Sequence, residues 1–183
     1  MAELYKNLLK KPVNENMGGY SNRILIYPAH LVSTVPLLSD APAALADLAT
    51  ATGTFVFPVV ANKPIAIKAS RNSVGYKAEN QGEIDGYSFK GTGTFFYPGE
   101  EVESAAMSRL LNNTEAYVVL EKANGEQRLI GQPGYPCSIK ASFEGGTAPA
   151  DRKGTTFTFE NDSFVPHIKL ATPIDFDTYF TEG

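Results

Sequence analysis

The sequence has no tryptophan, only two histidines and a single cysteine among its 183 residues. Cys137 alone cannot form a disulfide within the chain or supply the thiolates of a cysteine-based zinc site, and we interpret it as a small buried apolar residue. His30 and His167 lie far apart, and neither His-x-His nor His-Glu-x-x-His spacing occurs. We therefore predict that the protein holds no metal and no cofactor, and that both histidines are structural.

Basic charge is also in the minority. Sixteen Lys and Arg against twenty Asp and Glu give a formal net charge of −4. A dedicated nucleic-acid-binding protein normally carries a basic surface, so this balance argues against that class. No apolar run approaches the roughly 18 residues that a membrane-spanning helix needs, and the first residues lack the apolar core of a signal peptide. We expect synthesis in the cytoplasm of the producing cell.

The sequence also lacks the catalytic motifs that are typical of common enzyme families. No Gly-x-Ser-x-Gly sequence occurs, and Gly91-Thr-Gly93 lacks the third glycine and the following helix of a phosphate-binding loop. We interpret these two glycines as marking a bend or bulge in a strand. The carboxylates are scattered along the chain. We predict that the protein is not an enzyme, and keep as an alternative an enzyme whose site residues are not linked by spacing.

The residues that are abundant favour β-structure. Sixteen Gly and twelve Pro separate short segments rich in Phe, Tyr, Val, Ile and Thr. Apolar and polar residues alternate in several segments, which is typical of antiparallel strands with one buried face. Asn124-Gly125 is a strong hairpin signal. The predicted strands are Arg23–Tyr27, Thr54–Val60, Ile65–Ser70, Val74–Glu79, Ile84–Tyr97, Ala116–Lys122, Gln127–Gly131, Ser138–Phe143, Thr155–Glu160 and His167–Leu170. We predict a mainly β fold, an antiparallel β-sandwich or barrel.

One flanking α-helix is predicted at about residues 100–111, directly after Pro98-Gly99. Glutamates in its first turn and Arg109 in its last turn suit the two ends of the helix dipole. Val102, Ala106 and Leu110 line up at helical spacing, with Met107 and Leu111 beside them. This stripe predicts the helix face that packs against the sheet.

We divide the chain into an N-terminal arm (1–21), a single β domain (22–172) and a C-terminal tail (173–183). Within the domain, residues 33–52 form a long apolar segment between two predicted strands, with a weak helical candidate at 41–50. Loops of this length are usually functional. We predict an interaction loop, the alternative being a loop folded over its own sheet. The subunit-interface candidates are Leu4, Leu8, Val35, Leu37, Leu38, Leu45 and Leu48.

The order of these elements resembles the tail-tube (major tail) proteins of long-tailed bacteriophages. The likeness runs over roughly residues 53–170 and includes the helix after Pro98-Gly99, the hairpin at 116–131 and the segment Ala150-Asp-Arg-Lys-Gly-Thr-Thr-Phe-Thr-Phe-Glu160. It rests on layout more than on a diagnostic motif. The resemblance implies a structural virion protein whose homo-oligomeric, hexameric rings stack into a DNA-conducting tube. Its partners would be other virion proteins, with DNA passing non-specifically.

Two alternatives stay open beside the tail tube. Within the structural class, the chain is compatible with a head–tail connector, a ring protein or a capsid-associated protein. From another class, a carbohydrate-binding β-sandwich module would use Tyr and Phe as stacking platforms, and exposed aromatics beside Asn and Asp would favour it.

In a tube, one surface must face the DNA, and an acidic lumen repels phosphates. Glu83 and Asp85 share one face at the start of the predicted strand Ile84–Tyr97 and are our lumen candidates. The alternative is that they only keep the end of that strand soluble.

Overall fold

The computed structural model describes Leu8 and residues 18–180. These residues form a mainly β protein, which confirms the mainly β class that we predicted. The strands are β1 (Arg23–Pro28), β2 (Leu37–Leu38), β3 (Thr50–Thr52), β4 (Ile65–Lys68), β5 (Gly75–Gln81), β6 (Ser88–Pro98), β7 (Glu115–Glu121), β8 (Gln127–Ile130), β9 (Cys137–Glu144), β10 (Gly154–Ser163) and β11 (Ile168–Leu170). The helices are α1 (Val102–Leu111), which is the predicted flanking helix, and a single turn, α2 (Asp177–Phe180).

The strands belong to one mixed sheet. Its path runs β2-β3-β11-β8-β7-β9-β10-β6-β5, and β1 pairs with both β7 and β4. Every strand pair is antiparallel except β3 with β11, where Lys169 lies opposite Thr50. The predicted antiparallel arrangement therefore holds for all but this one pair of the described strands.

Strands β1 and β7 lie at the centre of the molecule. Alternate residues of β1 point to opposite sides: Ile24 and Ile26 join one apolar cluster, whereas Leu25 and Tyr27 join another. Strand β7 is buried on both faces in the same way. A strand covered on both faces is apolar throughout rather than alternating, which explains the unbroken Ile-Leu-Ile-Tyr of β1.

The first cluster joins β1, β4, β7 and β8 to β6, β9, β10 and α1. Its largest members are aromatic, and the rings of Phe95 and Phe157 stack with centroids 4.9 Å apart. Phe159 lies over Gly93 of β6, so closely that a Cβ added at Gly93 would come within 2.0 Å of the Phe159 ring. Both Gly91 and Gly93 keep regular pairing with β5 and β10, so the predicted bend or bulge is wrong. These glycines make room for rings.

The second cluster lies on the other side of β1 and β7 and is covered by two segments, the loop that follows β3 and the predicted C-terminal tail. Phe55 stacks on Tyr27 with ring centroids 3.9 Å apart. From the predicted C-terminal tail, Phe176 is buried. The side-chain amide of Gln127 also bonds both backbone groups of Ile174, at 2.6 and 2.7 Å. Residues 173–180 therefore pack onto the β domain instead of trailing from it.

Two predicted strands are placed differently in the structure. Residues 54–60 contain no strand, only an isolated bridge between Val56 and Thr34; Phe55 and Phe57 pack as loop side chains against the second cluster. Strand β6 begins at Ser88, so residues 84–87 belong to a turn. The weak helical candidate at 41–50 is a short 3₁₀-helix, Leu45–Ala49.

Helix α1 packs on the sheet through Met107 and Leu111 of the predicted stripe, but not through the line Val102, Ala106 and Leu110. Val102 is 81% exposed and Leu110 is 58% exposed, whereas Ser104 and Leu111 are buried and Met107 packs against the first cluster. Burial of Ser104 is tolerated because its hydroxyl donates to the Glu101 carbonyl at 2.8 Å. The prediction of a Val102–Ala106–Leu110 core stripe is wrong.

Candidate assembly surface

Three strand edges of the sheet are open among the residues that the structure describes. Strand β5 pairs only with β6, β4 only with β1, and β2 only with β3. The unpaired N–H and C=O groups of an edge strand can accept another chain as an additional strand. Seven-residue β5 is the longest of these edges, and it continues into the exposed turn that leads to β6.

The predicted interaction loop divides into an inward and an outward part. Val35 and Leu38 pack against the second cluster, and Leu45 is half-buried. For these residues the alternative of a loop folded over its own sheet describes the structure. Leu37 and Leu48 remain exposed. They are therefore the two candidates from this loop that stay available to a partner.

The candidates in the N-terminal arm can be placed only in part. Leu4 lies outside the described residues, whereas Leu8 is described and is 90% exposed. Further along, Tyr20 packs against the first cluster and the Ser21 N–H donates to the Glu121 carbonyl at 2.7 Å. The end of the segment that we termed an arm is thus already part of the domain.

The two lumen candidates lie in the turn between β5 and β6. The Gly86 N–H donates to the Glu83 carbonyl at 2.9 Å, and Asp85 has a left-handed backbone with φ of 72°. Both carboxylates are exposed. Their placement on one face of a strand is wrong, because the strand starts only at Ser88. Whether they face a lumen stays a prediction.

Several exposed apolar side chains were missed in the sequence. Ile84 and Tyr87 flank the carboxylates in the β5–β6 turn, and Val60 is 96% exposed in the loop before β4. Val102 and Leu110 are two further exposed apolar side chains, on α1. We predicted that these residues lie in strands or on the buried face of the helix. Periodicity does not distinguish an apolar face that packs into the core from one that a partner could cover.

Tyr135 and Phe164 form an exposed aromatic pair elsewhere on the surface. Their rings meet edge to face at 84° with centroids 5.7 Å apart. They border a cavity of about 230 Å³ that Gln81 and Asp162 also line. The Gln81 amide donates to the Asp162 carboxylate at 2.6 Å. Exposed aromatics beside an amide and a carboxylate are the feature that we expected of a carbohydrate-binding surface.

A cavity of about 340 Å³ opens between β4, α1 and α2. Its wall is mostly apolar and includes Met107, Phe157 and Phe180, with Glu103 at the margin. The titratable residues that line the cavity are Lys68, Tyr97, Glu103 and Tyr179. It marks where the apolar core reaches the surface beside the open edge of β4.

Several ionisable side chains at other positions form ion pairs. Within residues 18–180 and Leu8, no group of three or more His, Cys, Asp and Glu is arranged to hold a metal ion. Cys137 is buried, and burial raises the pKa of its thiol. Glu126 accepts from Lys169 at 2.8 Å and from Arg128 at 2.9 Å, and these bonds lower its pKa to about 2. None of the described helices is long and apolar enough to cross a membrane.

No protein-family model matches the chain, and no curated protein or solved structure is significantly similar to it. Its function must therefore be argued from its own edges, patches and pockets.

Proposed function

We propose that the protein is a self-assembling structural protein of a virion, a tail-tube subunit whose stacked rings form a DNA-conducting tube. The observation that carries this proposal is the open edge of β5 together with the exposed Ile84 and Tyr87 in the adjoining turn. A long free edge beside apolar side chains is an aggregation hazard in a monomer, and a partner that adds a strand removes it.

The several open edges suit a ring better than a two-fold dimer. A ring uses one heterologous contact repeatedly, so each subunit must offer two different complementary surfaces. Among the residues that the structure describes, β5 and β4 each pair on one side only, and they differ in length and in their neighbours. The hexameric number of subunits comes from the layout resemblance and is part of the proposal.

Charge is compatible with a conduit for DNA. The chain carries −4, and the tip of the β5–β6 turn exposes Glu83 and Asp85. An exposed turn can project into a central channel, where carboxylates repel phosphates and prevent the DNA from binding. A head–tail connector, ring or capsid-associated protein would use similar contacts but would not stack into tubes.

Microscopy and light scattering of the purified full-length chain test this proposal. We expect rings or tubes by negative stain. Ile84→Glu with Tyr87→Glu should abolish them, because two charges would then have to be buried at each contact. Both side chains are exposed, so the variant should remain folded by circular dichroism.

Val102→Glu with Leu110→Glu is the matched control, since it places the same charges on the exposed face of α1. We expect this variant to assemble. A wild-type chain that stays monomeric at high concentration and forms no particles would refute the assembly proposal. Loss of assembly in the control alone would move the contact from the β5 turn to the helix.

Carbohydrate binding is the second candidate, favoured by the exposed Tyr135–Phe164 pair beside Asp162 and Gln81. Because the rings are perpendicular, a sugar can stack on the face of only one of them. Calorimetry with a panel of soluble oligosaccharides tests this function on the wild type and on Phe164→Ala. Binding that is lost in Phe164→Ala, by a chain that does not assemble, would favour the carbohydrate-binding module.

A further inference from the structure

A small pocket lies where the end of β7, strand β8 and the start of β11 face β5. Its volume is about 210 Å³, and its polar lining comes from Tyr20, Tyr76, Lys122, Arg128 and His167. Two of these five side chains, Lys122 and Arg128, are cationic, and none is a carboxylate. This is a local excess of positive charge on a chain whose formal net charge is −4.

Arg128 is the most deeply placed of these groups, with only 7% of its surface exposed. Its guanidinium donates to the Glu126 carboxylate at 2.9 Å and to the Gln127 carbonyl at 3.3 Å. Arginine has five N–H donors, so these two bonds leave part of the fork available to the pocket. Glu126 offsets only part of the local positive charge, because its carboxylate is shared with Lys169 at 2.8 Å.

Lys122 adds a second cation. Its backbone is fixed by a hydrogen bond from its N–H to the Glu126 carbonyl at 2.8 Å, which closes the β7–β8 hairpin. Its side chain is half-buried, and no carboxylate of the described residues lies within 4.0 Å of its ammonium group. A partly buried lysine with no carboxylate of the described residues beside it favours an anion from solution.

The remaining polar groups are donors as well. Burial, Arg128 and Lys122 together lower the pKa of His167 and outweigh the opposite effect of Glu126, so its imidazole is neutral at pH 7 and can gain a proton. Burial raises the pKa of Tyr20 and of Tyr76, so both hydroxyls keep their protons. The Tyr76 hydroxyl lies 3.5 Å from the Asn161 side-chain oxygen, a long contact that leaves it available.

We propose that this pocket binds a small oxyanion, inorganic phosphate or the phosphate of a monoester, through Arg128 and Lys122. A fork of N–H donors and a point charge are the usual protein ligands of a phosphate group. The buried position of Arg128 and the size of the pocket favour a single phosphate group over a nucleic-acid backbone, which needs an extended basic groove. This site does not depend on the assembly proposal.

The two histidines allow a direct test, because His167 lines the pocket and His30 is exposed outside it. Inorganic phosphate is titrated into the full chain at constant ionic strength, while the imidazole signals of both histidines are followed by NMR. We expect a saturable shift of His167 and an increase in its pKa, since a bound anion stabilises the imidazolium. His30 should not respond.

Lys122→Gln should weaken phosphate binding about tenfold, since it removes one charge-assisted bond. Lys140→Gln is the matched control: it removes the same charge from an exposed residue that pairs with Glu160 outside the pocket. Its phosphate affinity should equal that of the wild type.

The proposal is wrong if His167 shows no saturable response, if chloride has the same effect, or if the two lysine variants bind phosphate equally. A second arm replaces phosphate with an oligothymidylate of ten nucleotides. Tighter binding of the oligonucleotide than of phosphate at His167 would overturn the single-phosphate assignment. None of these outcomes bears on whether the protein forms rings.

Discussion

Gly91 and Gly93 of β6 lie against aromatic side chains of the neighbouring strands, Tyr76 and Phe159. A Cβ at Gly91 would approach the Tyr76 hydroxyl and the Asn161 side-chain oxygen to 2.3 Å, and one at Gly93 would enter the Phe159 ring. Neither glycine has a positive φ. Glycine is therefore needed at these two positions because a side chain would not fit, and not because of an unusual backbone conformation.

Gly93→Ala should destabilise the protein by about 1–3 kcal/mol, because the buried Phe159 ring must move to admit a methyl group. Urea denaturation measures this change. Gly75→Ala is the control, since nothing lies within 4 Å of a Cβ there and its φ is not positive. Alanine at that strand position should be neutral or stabilising by up to about 1 kcal/mol. Equal losses in both variants would contradict the packing explanation.

Glu126 makes stability depend on acid pH. Its pKa is lowered from 4.5 to about 2 by its bonds to Lys169 and Arg128. A carboxylate with a lowered pKa in the folded state contributes stability that is present above pH 4.5 and is lost as the pH falls through 2. The wild type should therefore be more stable than Glu126→Gln at pH 6, and this difference should shrink between pH 4.5 and pH 2.

Denaturation midpoints of both proteins at several pH values check the Glu126 effect. Glu160 and Asp151 also have lowered pKa values, so the absolute stability of both proteins falls in acid. Only the difference between them isolates Glu126. A difference that stays constant down to pH 2 would show that the carboxylate charge is not involved.

Among the elements, α1 shows where sequence periodicity misleads. Its range was predicted correctly from Pro98-Gly99 and the charged ends. Of the predicted apolar stripe, Met107 and Leu111 pack inward, whereas Val102, Ala106 and Leu110 are exposed. Leu110 and Leu111 are neighbours on the chain, and both are apolar. Ser104 lies on the buried side of the helix. A hydrophobicity pattern counts serine as polar and predicts that it is exposed. Its burial is possible because its hydroxyl donates to the Glu101 carbonyl.

Leu111→Ala should cost about 2–5 kcal/mol, because Leu111 is completely buried in the first cluster. Leu110→Ala should change the free energy of unfolding by no more than about 0.5 kcal/mol in the monomer, because Leu110 is exposed. Guanidinium denaturation of the two variants compares them directly. A larger cost at Leu110 would mean that the originally predicted helix face is the buried one.

At the scale of the whole molecule, most strands could be predicted, whereas the covering of the second cluster could not. Alternating residues and the Asn124-Gly125 turn indicate the antiparallel strands locally. Phe55, Phe57 and Phe176 reach the sheet from loops and from the C-terminal segment. Such contacts between residues far apart in sequence leave no periodic signal. The proposed phosphate pocket could not be predicted for the same reason, because its side chains come from segments that are far apart in the sequence.

Charge reversal in the β5–β6 turn tests the lumen prediction in assembled particles. Glu83→Lys with Asp85→Lys should leave assembly intact, because in the proposed tube these exposed carboxylates face the channel and not a neighbouring subunit. The tubes should then retain DNA, in a manner that weakens with salt, since added cations contact phosphates. Asp40→Lys with Glu144→Lys, an exposed pair elsewhere, is the control. DNA retention that is equal in both variants would remove the β5–β6 turn from the lumen.

The burial of β1 and β7 on both faces affects how the protein unfolds. Both apolar clusters use these two strands, so neither cluster can come apart without exposing the strand backbone that supports the other. We expect one cooperative unfolding transition, in which the amide hydrogens of Leu25, Ile26, Val118 and Val119 exchange with solvent only by global unfolding. The amides of β2, at a two-residue edge, should exchange orders of magnitude faster. Native-state hydrogen exchange across a range of denaturant concentrations would measure both classes in one experiment.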